Sequence, residues 1–363
     1  MGDLPIIMRF LVLFSLLGAF VASGASSATG LAAQPAGVDT LGPDDVAKAV
    51  AALKQNFVHP QDLSDAQMAR ATLQGLLDRL SPAVTLLSGS AVAAAAQPFY
   101  SELYGHIGYL RIGEFNKANF GKAAEAVQDW GSEKANAVVL DLRGTPPNGD
   151  FEGSAALGAL FCPKGTELFS LESAQGNKET EENVTVEDAP AQFKGVLVVL
   201  VDADTAEAPE ALAAALQKRA KALIVGDRTA GKPYEYTDVP VSDGVLRMAT
   251  AQVILPDGKQ PSENGLIPDI SVGLGSVAKA DIMKSITAKG IASVVLEQSR
   301  PHLNEAALVA HTNPEVDEIE AEQSGRKPPE IPIDRQLQRA LDLVTSISIY
   351  QSRESGAATP ASR

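Results

Sequence analysis

The chain has 363 residues, a formal charge of −15 and a single cysteine. That acidic balance argues against nucleic acid or anionic lipid as a partner, since either would repel it. A lone Cys162 excludes an internal disulfide, and its place after the apolar run Ala155–Phe161 marks a small buried hydrophobe. His59, His106, His302 and His311 are scattered without ligand spacing, so neither a metal nor a cofactor is expected.

Residues 1–28 read as a secretory signal peptide. Arg9 precedes the apolar run Phe10–Ala22, and small residues follow at Ser23–Ala28. The run falls short of the ~20 residues that span hydrocarbon. Export to the periplasm or cell envelope is expected, without stable membrane insertion; an uncleaved anchor is the alternative. Residues 29–41 are a small-residue leader. Within a helical region at 42–95, Val46, Val50 and Leu53 share one face behind Asp44 and Asp45. A second helix near Asp65–Arg79 repeats Met68, Leu73, Leu76 and Leu77.

The core, 96–275, alternates strand and helix. The strand Ile107–Ile112 leads to a helix over Lys117–Gly131, then to the apolar strand Ala137–Leu142 and a helix over Glu152–Phe161. A strand at Glu167–Leu171 precedes an acidic loop, Glu179–Asp188. The strand Val196–Val201, the helix Ala208–Arg219 and the strand Ala222–Val225 follow. Continuous apolar strands separated by helices predict an α/β fold with a parallel, helix-covered sheet. Two further strands, Tyr234–Val241 and Gly244–Leu255, flank the turn Ser242-Asp243-Gly244. Residues 276–350 hold C-terminal helices around a proline-rich linker, Glu315–Pro332, and 351–363 read as a disordered tail.

The stretch Lys194–Lys232 resembles the active-site segment of the C-terminal-processing, or tail-specific, serine peptidases. Asp141-Leu142-Arg143, Leu255-Pro256-Asp257-Gly258-Lys259 and Gly265-Leu266-Ile267-Pro268-Asp269-Ile270 resemble further motifs of that family, as does the helical entry segment Phe57–Pro82. The resemblance covers most of Leu41–Val272. It implies a crotonase-like β-β-α superhelix, a serine–lysine dyad and an extended peptide or unfolded protein C-terminus as partner. Only Ser88–Gly105 separates the helical region from the first core strand, which is too short for the family's PDZ module. A homo-oligomer stays open.

The departures concern the chemistry. The family's nucleophilic serine corresponds to Glu207, within Thr205-Ala206-Glu207-Ala208-Pro209-Glu210, while the dyad lysine is retained as Lys232. A neutral, desolvated lysine takes the proton of a serine hydroxyl as the alkoxide attacks. A carboxylate is a poor nucleophile toward an amide, and beside a lysine it favours the ammonium form. An ion pair between Glu207 and Lys232 is therefore predicted. Tyr236 stands at the position of the family's lysine-orienting glutamine. Pro147 and Asn148 replace two oxyanion-loop glycines, and proline has no N–H to donate. Ala208 and Gly149 remain as oxyanion-hole candidates.

These losses favour a catalytically inactive, peptide-binding pseudopeptidase. The alternative is an active endopeptidase using Lys232 with a relocated nucleophile, for which Ser154 is the candidate, or Glu207 as a general base on another substrate. Ser154 on a helix surface is the plainer reading. Gly226–Lys232 fits the opening of a phosphate-binding loop, but Pro233 follows where a hydroxyl is required and a strand follows where a helix is required. Asp202, Asp204, Glu207 and Glu210 form an acidic cluster, read as solvated or capping carboxylates. Asn183-Val184-Thr185 is a glycosylation sequon only in a eukaryotic secretory pathway.

Overall fold

In the computed structural model, residues 37–88, 97–147, 149–175, 178–187, 193–262, 264–296 and 333–357 are described. The stretch read as a signal peptide, most of the leader, the proline-rich linker and the last six residues lie outside them. The chain divides between Thr72 and Leu73 into two compact units. The first contains α1 (Pro43–Asn56), which begins on a proline in its first turn, and the start of α2 (Asp65–Leu80). A Lys54–Asp65 ion pair of 2.7 Å joins these two helices. The expected apolar stripe of α1 is not buried: Val46, Leu53 and Phe57 are exposed.

The second unit contains two sheets. One has the order β11-β8-β7-β4-β3-β2, where β2 is Tyr100–Tyr104, β3 Ile107–Arg111, β4 Ala137–Asp141, β7 Val196–Val201, β8 Leu223–Gly226 and β11 Ile270–Ser271. All neighbours are parallel except β2 and β3. From β3 to β8 the chain steps along the sheet in one direction, crossing through α3 (Lys117–Ser132), α4 (Phe151–Gly158) and α5 (Glu207–Arg219). The loops after β4, β7 and β8 therefore leave the carboxyl ends of three adjacent strands, the edge at which open α/β sheets bind ligands.

Strand alternation assigns the two faces. Leu110, Val138, Leu140 and Val199 pack with α3, α4 and α5. Tyr109, Val139, Val198 and Leu200 pack with α6 (Ser276–Lys289) and α7 (Arg335–Ala357). Both faces are covered, as continuous apolar strands require. α7 runs on into the stretch read as tail. No helix among the described residues is long and apolar enough to cross a membrane.

The second sheet is antiparallel and was not anticipated as such. β10 (Gly244–Ile254) pairs with β9 (Tyr234–Val241) on one side, and with β1 (Val84–Ser88) and β5 (Glu167–Gln175) on the other. β5 carries β6, Lys178–Thr185, where an acidic loop was expected. β6 is an edge strand whose glutamates lie in solvent, with Val184 buried, so its sequence lacks the alternation of a covered strand.

Two fully buried arginines fasten the C-terminal helices to the parallel sheet. Arg111 donates to Thr287 Oγ1 (2.6 Å) and to the Met283 carbonyl (3.3 Å) of α6. Arg143 donates to Asp141 through Nε (2.9 Å) and Nη2 (2.6 Å), and to Asp334 through Nη1 (3.0 Å) and Nη2 (2.8 Å). Tyr109 donates its hydroxyl to Asp141 at 2.7 Å. Burial by itself would raise the Asp141 carboxyl, yet Arg143 holds it below the ordinary aspartate value. Asp334 in turn accepts from the Leu337 amide at 2.9 Å in the first turn of α7.

Arg143→Met would leave two carboxylates buried without their cation. Loss of one member of such a pair costs about 3–5 kcal/mol. Urea unfolding should show a destabilisation of that order, and an unchanged midpoint would contradict the assignment.

Candidate functional site

The residue that matters most is held in a strained backbone. β7 ends at Val201, residues 202–206 turn, and Glu207 opens α5 with φ of 56°. A side chain in the left-handed region is uncommon outside glycine and asparagine and costs energy. Such a sharp strand-to-helix elbow is the geometry that presents a nucleophile. The turn is built by Thr205, whose amide donates to the Asp202 carbonyl at 3.0 Å and whose hydroxyl accepts from the Asp202 amide at 3.1 Å. Pro209 sits in the first turn of α5, where an N–H would have no intrahelical partner.

The loop after β8 is tied to this elbow. The Ala230 amide donates to the Thr205 carbonyl (2.9 Å), and the Glu207 amide donates to the Lys232 carbonyl (3.2 Å). From α5, the buried Glu210 carboxylate accepts from Thr229 Oγ1, the Gly231 amide (3.0 Å) and the Lys232 amide (2.9 Å). Glu210 thus fixes where Lys232 enters the site, a role the sequence reading missed. Burial still pushes its carboxyl above the ordinary glutamate value, against those hydrogen bonds. The same amides are those a phosphate-binding loop would offer, so Gly226–Lys232 already holds an internal carboxylate, and β9 follows it.

The predicted ion pair between Glu207 and Lys232 is not what forms. Glu207 is 5% exposed as a residue, and its carboxylate pairs with Arg247 of β10, Oε1 to Nη1 3.7 Å. Lys232 has an exposed side chain, and among the described residues it makes no salt bridge. Arg247 reaches Glu207 because it lies opposite Asp238 across the β9–β10 hairpin, where Asp238 takes its Nε and Nη2 at 2.9 and 3.0 Å. Desolvation raises the Glu207 carboxyl above its ordinary value, with the Arg247 and Lys232 charges opposing it.

Tyr236 joins this cluster rather than orienting the lysine. Its ring lies 5.8 Å from the Arg247 guanidinium and 6.0 Å from the Tyr234 ring. Its buried hydroxyl has no hydrogen-bond partner. Desolvation, then the nearby Glu207 charge, pushes that phenol up to about 12.

The oxyanion candidates fare differently. Ala208 is fully buried in the first turn of α5, where backbone N–H groups are free of intrahelical acceptors. Gly149 lies exposed ahead of α4, a Cβ there would meet nothing within 4 Å, and its carbonyl accepts from the Phe151 amide at 2.9 Å. Asn148 lies outside the described residues. Ser154 is not a surface residue: it is 0% exposed in α4, so substrate cannot reach it as a relocated nucleophile. The four acidic residues do not converge either. Lys279 of α6 pairs with Asp202 and Asp204, each at 2.5 Å, while Glu207 and Glu210 have the separate partners above.

Residues 106–272 match the profile of Peptidase family S41. The chain is 29% identical over 182 residues to the carboxy-terminal processing protease CtpA of Bacillus subtilis, covering 50% of this chain and 38% of that protein. It is 30% identical over 177 residues to the carboxyl-terminal-processing protease of Synechocystis, covering 48% and 40%. The match thus spans well under half the length of these curated relatives. Among solved structures, the photosystem II D1 C-terminal processing protease shares 26% identity over 57% of this chain and 53% of its own, with a TM-score of 0.40.

Glu207→Gln tests the electrostatics of the elbow. A carboxyl whose folded value is raised binds its proton more tightly in the native state, so stability falls as pH climbs from the unfolded value through the folded one. Gln removes that loss while Asp238 keeps Arg247 paired. The variant should melt above the native protein at pH 7.5, and the gap should close toward roughly pH 4, near the unfolded glutamate value. A lower melting temperature at pH 7.5 would show that the Arg247 pair outweighs desolvation.

Proposed function

We propose that this chain, for which the profile match and the relatives support peptidase family S41, is an exported protein that holds an extended peptide at its elbow without cutting it. The observation that carries this reading is the buried, Arg247-paired carboxylate of Glu207 at the strained position where the family resemblance puts a serine. Acyl transfer needs a hydroxyl that gives up a proton to a neutral base and then carries the acyl group. Glu207 offers neither the hydroxyl nor a stable acyl product.

The electrostatics around it oppose the reaction too. The transition state places negative charge on the former carbonyl oxygen, and each positioned donor contributes roughly 3–4 kcal/mol there. A carboxylate at the elbow repels that charge, and Pro147 removes one amide from the facing loop. Lys232 lies exposed to water rather than enclosed beside a hydroxyl. What remains is the backbone: an extended segment gains main-chain hydrogen bonds from a sheet edge without chemistry.

A second reading has one observation in its favour. The raised Glu207 carboxyl is displaced toward the range in which a carboxylate works as a general base, so water-mediated hydrolysis of a different substrate would use Glu207 itself.

The purified protein, incubated with unfolded casein and C-terminally tagged peptides beside Glu207→Ser, Glu207→Gln and Lys232→Ala, separates these readings. Peptide binding without cleavage by the native chain is expected, with any gain of cleavage confined to Glu207→Ser. Native turnover abolished by Lys232→Ala would refute the pseudopeptidase, and turnover abolished by Glu207→Gln would assign general-base hydrolysis.

A further inference from the structure

A second cleft lies away from the elbow, against the edge strand that the sequence disguised as a loop. Four consecutive residues of β6, Glu182–Thr185, line one wall, and Ala155 and Ala156 of α4 line the other, enclosing about 460 Å³. Consecutive strand residues point alternately to opposite faces, so a wall made of four in a row is the strand's edge, backbone included, rather than one of its faces. β6 has β5 as its strand partner and, among the described residues, none on the other side. Two alanines opposite leave the room that larger side chains would fill.

This arrangement of a free strand edge beside a helix is the one in which an added peptide strand docks, its main chain bonding the edge and its alternate side chains entering the groove. The electrostatics select the occupant. Glu152, Glu182 and Glu187 contribute three carboxylates to the lining, and no lining residue among those described is basic. All three are exposed. Glu179 and Glu181 extend the same sign along β6.

A second copy of the chain is a poor fit. Pairing β6 with itself would set glutamates against glutamates in a molecule already carrying a formal charge of −15, and like charges on opposed strand positions destabilise pairing. The acidic edge thus keeps copies apart while favouring cations. We propose that the β6–α4 cleft is a docking site for an extended, lysine- or arginine-rich segment of another protein, added as a further strand to the antiparallel sheet. The site is independent of the elbow and of whether Glu207 supports any chemistry.

Fluorescence anisotropy of the full chain with a labelled ten-residue peptide of alternating lysine and valine tests this. Three comparisons accompany it: the glutamate–valine counterpart, the lysine–valine peptide N-methylated at alternate residues, and a Glu152→Lys/Glu182→Lys/Glu187→Lys variant. The basic peptide should bind and the acidic one should not. The variant, substituted at exposed positions and checked for native circular dichroism, should bind at least about tenfold more weakly, the scale expected when several interfacial charges are reversed. N-methylation should weaken binding by a similar factor on the native chain, which needs no altered protein. Undiminished binding of the N-methylated peptide would mean surface adsorption of a cation, and undiminished binding by the variant would place the peptide elsewhere; either overturns the proposal.

Discussion

The buried guanidinium of Arg143 is the constraint on which the site's architecture rests. It is fully enclosed between Asp141 at the end of β4 and Asp334 at the start of α7, each bound by two hydrogen bonds. A charge in that position is tolerable only because both carboxylates and the Gln336 Oε1, 2.9 Å away, satisfy its donors. Gln336 carries the linkage further, donating from Nε2 to Asp227 at 3.1 Å and to the Val272 carbonyl at 2.7 Å. The loop after β4 and the loop that delivers Lys232 are thus braced by one segment from the far end of the chain.

On the proposed reading, the elbow keeps the shape of a nucleophile turn with a side chain of the wrong chemistry. The positive φ at residue 207, the Glu210 clamp on the Lys232 amide and the buried Ala208 all belong to this one sharp turn. Arg247 then compensates the glutamate, itself steadied by Asp238. A strained backbone persists only where its surroundings over-determine it, and here the clamps lie in α5, the turn after β7 and the loop after β8. On the proposed reading, loss of the hydroxyl left these supports in place, so the turn survives as a rigid corner beside which an extended peptide can lie.

The parallel sheet and its helices were legible in the sequence because their strands are apolar on both faces and the helices between them periodic. Val196–Val201 and the helix after it needed no tertiary information. β6 was not legible: solvent on its free edge imposes no alternation, and its glutamates read as a loop. The Glu207–Lys232 pairing was misread because nearness along the chain and in the backbone does not fix where side chains point; Lys232 turns outward. Arg247 was missed although a signal existed. The Ser242-Asp243-Gly244 turn fixes the hairpin register, which sets Arg247 across from Asp238. Ser154 failed for the opposite reason, since a short helix of small residues does not reveal which face is covered.

The central claim is that no residue of the native chain becomes acylated, because the elbow carries an anion where an alcohol is required. It is tested most directly by trapping. The native protein would be incubated with a peptidyl ester, quenched in acid and examined by intact mass spectrometry, with fragment mapping of any adduct. The account predicts no acyl mass on any hydroxyl side chain. A peptidyl adduct mapped to a serine or threonine of the native chain would contradict it.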